Sequence, residues 1–136
     1  AGFTTGKPWN AIPETYKTHN VADELKDPNS ILNWYKQLLA LRRSSPALLD
    51  GDYIGLNEKD PNVLSYLRKT KNDSVIVVIN MSAAPRTVNF KLSTQRLSVK
   101  SAKTLLTTQQ SLQANSSVAQ LSLEPFAVYI ATLNRK

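Results

Sequence analysis

Five consecutive apolar residues, Val75-Ile76-Val77-Val78-Ile79, constrain this chain more than any other feature of its sequence. A continuous apolar run of β-branched residues has no wet face, so it reads as a central strand covered on both sides. The flanking sequence supplies partners. Val63-Leu64-Ser65-Tyr66-Leu67-Arg68 is β-rich, and Lys71-Asn72-Asp73 between the two runs has the composition of a hairpin turn. Thr87-Val88-Asn89-Phe90-Lys91-Leu92 alternates and should keep one face in water. Further strands are expected at Asp52–Leu56, 102–107, 118–123 and 126–133, a spacing that suits an antiparallel β-sandwich over the carboxy-terminal two thirds. The Gln/Ser/Thr-rich stretch 107–117 reads as a polar loop.

The amino-terminal part has a different character. Residues 1–26 mix Gly2, Gly6, Pro8 and Pro13 with isolated aromatics and show neither a helical nor a strand period, which predicts a loop. A loop of that length without its own core is uncommon in a compact domain unless it serves a function or packs on something larger. At Asp27-Pro28 a helix is expected to start, with Asp27 as cap and Pro28 at the first helical position. Ile31, Leu32, Tyr35, Leu38 and Leu39 fall on one face, Trp34 and Leu41 widen it, and Ser44-Ser45-Pro46 stops the run. So broad an apolar stripe expects a large apolar partner.

Composition limits the chemistry. With 136 residues, 41% hydrophobic and 20% charged, the chain is an ordinary globule too short for a complete barrel enzyme. It has no cysteine, so thiolate catalysis and cysteine-bound metal are excluded. The net charge of +7 comes from basic residues scattered over helix, strand ends and tail without interleaved aromatics, which predicts a solvated surface and no nucleic-acid partner. No apolar run approaches the ~18 residues of a membrane span, and the amino end does not read as a signal peptide. His19 is the single histidine, no Gly-x-Ser-x-Gly elbow or calcium-loop spacing occurs, and Gly2–Pro8 lacks the spacing of a phosphate loop, so neither metal nor cofactor is expected. The ten carboxylates lie mostly in turns or beside Pro and Gly, where caps and turns are their ordinary work. Phe3 and Trp9 stand apart: flat rings in an irregular segment either plug the loop onto a neighbouring domain or stack on sugar. Asn72-Asp73-Ser74, Asn80-Met81-Ser82 and Asn115-Ser116-Ser117 match the N-glycosylation pattern.

The order of several segments resembles a known family. Ala1-Gly-Phe-Thr-Thr-Gly-Lys-Pro-Trp is followed by Tyr16, by Asn20-Val21, by Lys26-Asp-Pro-Asn-Ser-Ile-Leu-Asn-Trp-Tyr, by Leu39-Ala40-Leu41-Arg42 and by Gly51-Asp52-Tyr53. This is similar to the carboxy-terminal part of α-glucosidases of the α-amylase superfamily, glycoside hydrolase family 13, in the oligo-1,6-glucosidase, dextran glucosidase and sucrose isomerase branch. Val75 to Asn80 resembles the central strand of that family's C-terminal domain, and Leu123-Glu-Pro-Phe-Ala-Val-Tyr its closing strand. The resemblance implies a mainly β fold: an antiparallel β-sandwich of domain C type at 47–136, preceded at 1–46 by the last loop and eighth helix of a (β/α)8 barrel. Residues 1 to about 27 would follow the eighth barrel strand, and 28–44 would be the eighth helix. The absent barrel would be the partner of both, oligosaccharide would be reached through the parent enzyme, and Phe3 and Trp9 would lie near its substrate mouth. The family's nucleophile Asp, acid/base Glu and stabilising Asp belong to motifs missing from this sequence, so no residue here inherits a catalytic role. The family branch and the lack of cysteine favour a cytoplasmic location. Two alternatives are a non-catalytic homologue of the superfamily and a free-standing sugar-binding β-sandwich.

Overall fold

A computed structural model describes residue 2, residues 4–113 and residues 117–135. These form two compact units, 1–40 and 41–136.

In the first unit the segment before Pro13 is irregular, but the expectation of loop throughout 1–26 is corrected by a 3₁₀ turn at Glu14–Lys17 and a short helix α1 at Val21–Glu24. Asn20 makes α1 local: its Oδ1 accepts the Asp23 N–H at 3.0 Å while its Nδ2 donates to the Tyr16 carbonyl at 3.1 Å. Helix α2 spans Ile31–Ser44, so it starts later than Asp27-Pro28 suggests. The Asp27 carboxylate accepts the Asn29 N–H at 2.8 Å and closes a turn instead. Ser30 takes over the cap, its Oγ accepting the Asn33 N–H at 3.2 Å, and Glu24 Oε2 reaches across from α1 to accept the Leu32 N–H at 3.0 Å. Arg42 and Arg43 close the helix at its negative end. No residue of α2 is buried, and Ile31, Tyr35 and Leu39 of its apolar face are 81%, 60% and 40% exposed.

The second unit begins with a helix that the sequence reading did not contain, α3 at Pro46–Asp50. Ser45-Pro46 ends α2 as expected, yet Pro46 also suits the first turn of a new helix, capped by Ser45 Oγ on the Leu48 N–H. Seven strands follow: β1 Asp52–Leu56, β2 Val63–Lys69, β3 Ser74–Asn80, β4 Arg86–Asn89, β5 Leu97–Thr107, β6 Gln120–Leu123 and β7 Val128–Arg135. They build an antiparallel five-stranded sheet ordered β1-β2-β3-β7-β5 and a two-stranded sheet β4-β6. The apolar run is the middle strand of the larger sheet, as its composition demands. Strand β5 starts five residues earlier than expected because Leu97 pairs with Arg135 ahead of an irregularity in register before Ala102. Conversely, β4 stops at Asn89, although burial of Val88, Phe90 and Leu92 carries the alternation onward.

One face of β3, Ile76 and Val78, meets Leu67, Tyr129 and Ala131 from its neighbours and belongs to the same core as Val88, Leu121 and Leu123 of the second sheet. On the other face Val75 and Val77 are equally buried, at 0% and 4% exposed. Helix α3 packs against β2 and β3 and supplies part of that cover. Asp73, in the hairpin turn, locks it there by accepting Ser45 Oγ–H at 2.8 Å and the Ala47 N–H at 3.1 Å. Gly51 lets the chain turn from α3 into β1, since a Cβ there would overlap the Ala47 carbonyl oxygen and come within 2.8 Å of the Lys69 nitrogen.

Asn80 closes the far end of β3. Only 1% exposed, it donates Nδ2 hydrogens to the carbonyls of Ala84 and Glu124, both at 2.8 Å, and accepts at Oδ1 from the Ser82 N–H at 3.0 Å and Ser82 Oγ–H at 2.8 Å. One side chain thus joins the β3–β4 connection to the β6–β7 turn. Asn80→Asp removes both donors and sets a carboxylate against two carbonyl oxygens, so we expect a loss of about 3 kcal/mol in urea unfolding, whereas Asn72→Asp on the exposed hairpin turn should change little.

Tyr129 is fully enclosed, and burial pushes its phenol above the ordinary tyrosine range while Thr104 pulls the other way. Because the folded state holds the proton longer than the unfolded chain, the stability from this group is complete below the unfolded tyrosine value of about 10 and drains away as pH rises through the higher folded value. Unfolding midpoints measured across that alkaline window should fall for the wild type and fall less for Tyr129→Phe.

Candidate functional site

The two residues singled out as substrate-proximal have different standing in the structure. Phe3 lies outside the described residues. Trp9 is 100% exposed in the irregular segment before Pro13, within a backbone shaped by Gly6, whose N–H donates to Thr4 Oγ1 at 3.1 Å. The indole has no core of its own to enter.

Six of the ten carboxylates have evident structural work. Glu14 pairs with Lys17, Glu24 accepts from the Leu32 N–H and Asp27 from the Asn29 N–H. Asp23 accepts Asn20 Nδ2–H at 2.8 Å and Lys26 Nζ–H at 3.3 Å, and those two partners, Asn20 foremost, hold it below the usual carboxylate range. Asp60 Oδ1 caps the N–H groups of Asn62 and Val63 at 2.9 and 3.1 Å, and Asp73 caps α3. These are caps and turns. A general acid needs a carboxyl free to face its substrate from an apolar pocket, whereas the oxygens of Glu24, Asp27, Asp60 and Asp73 are spent on backbone N–H groups.

Among the described residues one shallow cleft lies beside His19, Asp23, Glu24 and Asp27, and another lies between the β1–β2 loop and β4 beside Glu58, Asp60 and Asn89. In the first, the His19 ring faces Thr18 Oγ1 at 3.0 Å and Asp23 and Glu24 are already committed. Among the described residues no group of three or more His, Asp or Glu could hold a metal ion, and no helix is long and apolar enough to cross a membrane.

What the sequence reading missed is an aromatic pair on the face of the large sheet away from the core. Tyr53 and Tyr66 lie with ring centroids 5.1 Å apart at 33°, brought together because β1 and β2 pair Tyr53 with Arg68 and Gly55 with Tyr66. Burial raises the Tyr66 phenol, and Arg68 opposes it. Each tyrosine reads as an ordinary strand residue, and only the register makes them neighbours.

The folded parts therefore define a class: a β-sandwich module whose preceding segment carries an apolar helix face and, among the described residues, no catalytic constellation. Known proteins agree. Residues 54–130 match the maltogenic amylase C-terminal domain, and residues 1–51 match the α-amylase catalytic domain. The chain belongs to that C-terminal domain family, within the α-amylase superfamily, glycoside hydrolase family 13. It is 34% identical over 125 residues to an oligo-1,6-glucosidase of Halalkalibacterium halodurans, a match covering 92% of this chain and 22% of that protein. An oligo-1,6-glucosidase of Parageobacillus thermoglucosidasius is 40% identical over 82 residues, 60% of this chain and 15% of that one. Among solved structures, isomaltulose synthase from Klebsiella sp. LX3 superposes with a TM-score of 0.82 at 33% identity, and the trehalulose synthase MutB from Pseudomonas mesoacidophila MX-45 with 0.82 at 29%. Both superpositions cover 98% of this chain and 23% of the other. The chain spans under a quarter of the length of these relatives.

Proposed function

We propose that these residues are the carboxy-terminal portion of an α-glucosidase-like enzyme that cleaves α-glucosidic bonds of oligosaccharides or disaccharides by double displacement with retention. In that reaction one carboxylate attacks the anomeric carbon and a second carboxyl protonates the leaving oxygen, then activates water or an acceptor sugar. Neither carboxyl comes from this sequence, so the 136 residues serve the parent structurally. The observation that carries this reading is α2: Ile31, Tyr35 and Leu39 form an apolar face left largely exposed, within a segment that matches the α-amylase catalytic domain. An amphipathic helix leaves such a face unburied only when its partner lies elsewhere, and the rest of a barrel is the partner of that shape and polarity. Residues 1–46 would then belong to the barrel of the parent, and the sandwich at 47–136 would be the domain that follows it. A cytoplasmic location fits the absence of cysteine and the family branch.

The deciding experiment reads the coding DNA immediately upstream of Ala1. A continuous frame into a barrel with the nucleophile Asp, acid/base Glu and stabilising Asp is the expected result. A start codon at that point, or a barrel lacking those carboxylates, overturns the enzyme reading and leaves a binding module or a non-catalytic partner.

Trp9, and with it Phe3, would border the substrate mouth, where the loops after barrel strands gather. The exposed indole supports this, because flat rings stack on the C–H faces of sugars. Trp9→Ala in the parent enzyme should raise KM several-fold for isomaltose or sucrose while leaving the thermal midpoint unchanged, and an unaltered KM would remove Trp9 from the site.

A further inference from the structure

Three Asn-x-Ser triplets occur in the sequence, and the fold treats the two described ones in opposite ways. Attachment of a glycan to asparagine uses a lipid-pyrophosphate-linked saccharide as donor. The sugar C1–O bond to pyrophosphate breaks, a bond from C1 to the amide Nδ2 forms, and one amide proton leaves with the lipid pyrophosphate. The product keeps a single N–H on Nδ2. Asn80 cannot accommodate it: both Nδ2 hydrogens are engaged, and the oxygens that receive them lie at 2.8 Å. A nitrogen–carbon bond of about 1.5 Å would point a sugar ring at one of those oxygens, within a site where Asn80 is 1% exposed. The backbone adds no room, since the Asn80 N–H donates to the Ala127 carbonyl at 2.9 Å and the Met81 N–H to the Asn62 carbonyl at 2.7 Å. Asn72 differs on each count. It sits exposed in the β2–β3 turn, where its backbone N–H donates to Thr70 Oγ1 at 3.3 Å.

We infer that Asn80-Met81-Ser82 is a closed glycosylation triplet, whose modification is incompatible with the folded sandwich, while Asn72-Asp73-Ser74 is an open one that carries a glycan without loss of fold. Ser74 is 3% exposed in β3 and Asn80 is buried, so transfer at either site precedes folding and the fold then sorts the products. Chains modified at Asn80 lose the joint between the β3–β4 connection and the β6–β7 turn, and chains modified at Asn72 do not. Synthesis in a compartment without the transferase avoids that loss altogether.

The test translates the natural protein that contains this chain in a cell-free system supplied with endoplasmic-reticulum microsomes. Ser82→Thr runs alongside the wild type, because threonine keeps the triplet and the hydroxyl that bonds Asn80 Oδ1. Limited proteolysis separates folded from unfolded molecules, and glycopeptide mass spectrometry assigns each site, Asn115 being scored separately. The expected result is glycan at Asn72 and none at Asn80 in the resistant pool of both forms. Glycan on Asn80 in resistant molecules, or its absence from Asn72 there, would overturn the inference. As a readout independent of glycosylation, Asn80→Asp should shrink the resistant pool at a fixed protease and urea concentration and Asn72→Asp should leave it as in the wild type; equal pools for the two would also overturn it.

Discussion

Strand β3 must be covered on both faces, and most of the second unit can be understood as the means of covering it. Ile76 and Val78 are enclosed by the second sheet and by Tyr129 and Ala131, while Val75 and Val77 lie on the side where α3 packs. A buried aliphatic side chain stabilises by roughly 1.5–3 kcal/mol relative to exposure, so a strand with apolar residues on both sides gains only where both layers exist. The two ends of β3 are then secured by polar groups in place of further apolar area. Asp73 ties the start of the strand to α3, and Asn80 ties its end to two connections distant in sequence. Hydrogen bonds of this kind contribute modestly when made, but leaving them unmade within a core is expensive.

The distribution of charge follows the same division of labour. Residues 1–40 hold four lysines and four carboxylates, so the whole net charge of +7 lies on 41–136. In that unit Asp60 and Asp73 spend their oxygens on backbone N–H groups, and the described residues form no ion pair there. Asp60 and Asp73 thus fasten a loop and a cap, and Lys69 fastens in the same way, donating to the Gln95 carbonyl at 2.7 Å.

Much of the sandwich was legible because a strand writes its environment into a period of two. Strand β1 has the expected bounds, the hairpin turn at Lys71-Asn72-Asp73 is present, and the alternation of Val88, Phe90 and Leu92 appears as alternating burial. The departures have local causes. Asp27 had two uses, a helix cap or a turn, and the turn prevailed because Ser30 and Glu24 were available to cap α2. Pro46 could end one helix or begin another, and it begins α3 because Ser45 and Asp73 both reach its first turn.

The sequence by itself determined where most strands lie, that β3 is central, that α2 is amphipathic, and that no thiolate chemistry resides here. These follow from composition and period, which act over a few residues. Only the tertiary structure decided the strand order β1-β2-β3-β7-β5, the meeting of Tyr53 with Tyr66, and the contrast between Asn72 and Asn80, two asparagines in identical short motifs. Those outcomes depend on register and on contacts between residues far apart in the chain. Asn80 and Glu124, 44 positions apart, share a hydrogen bond that no local pattern encodes.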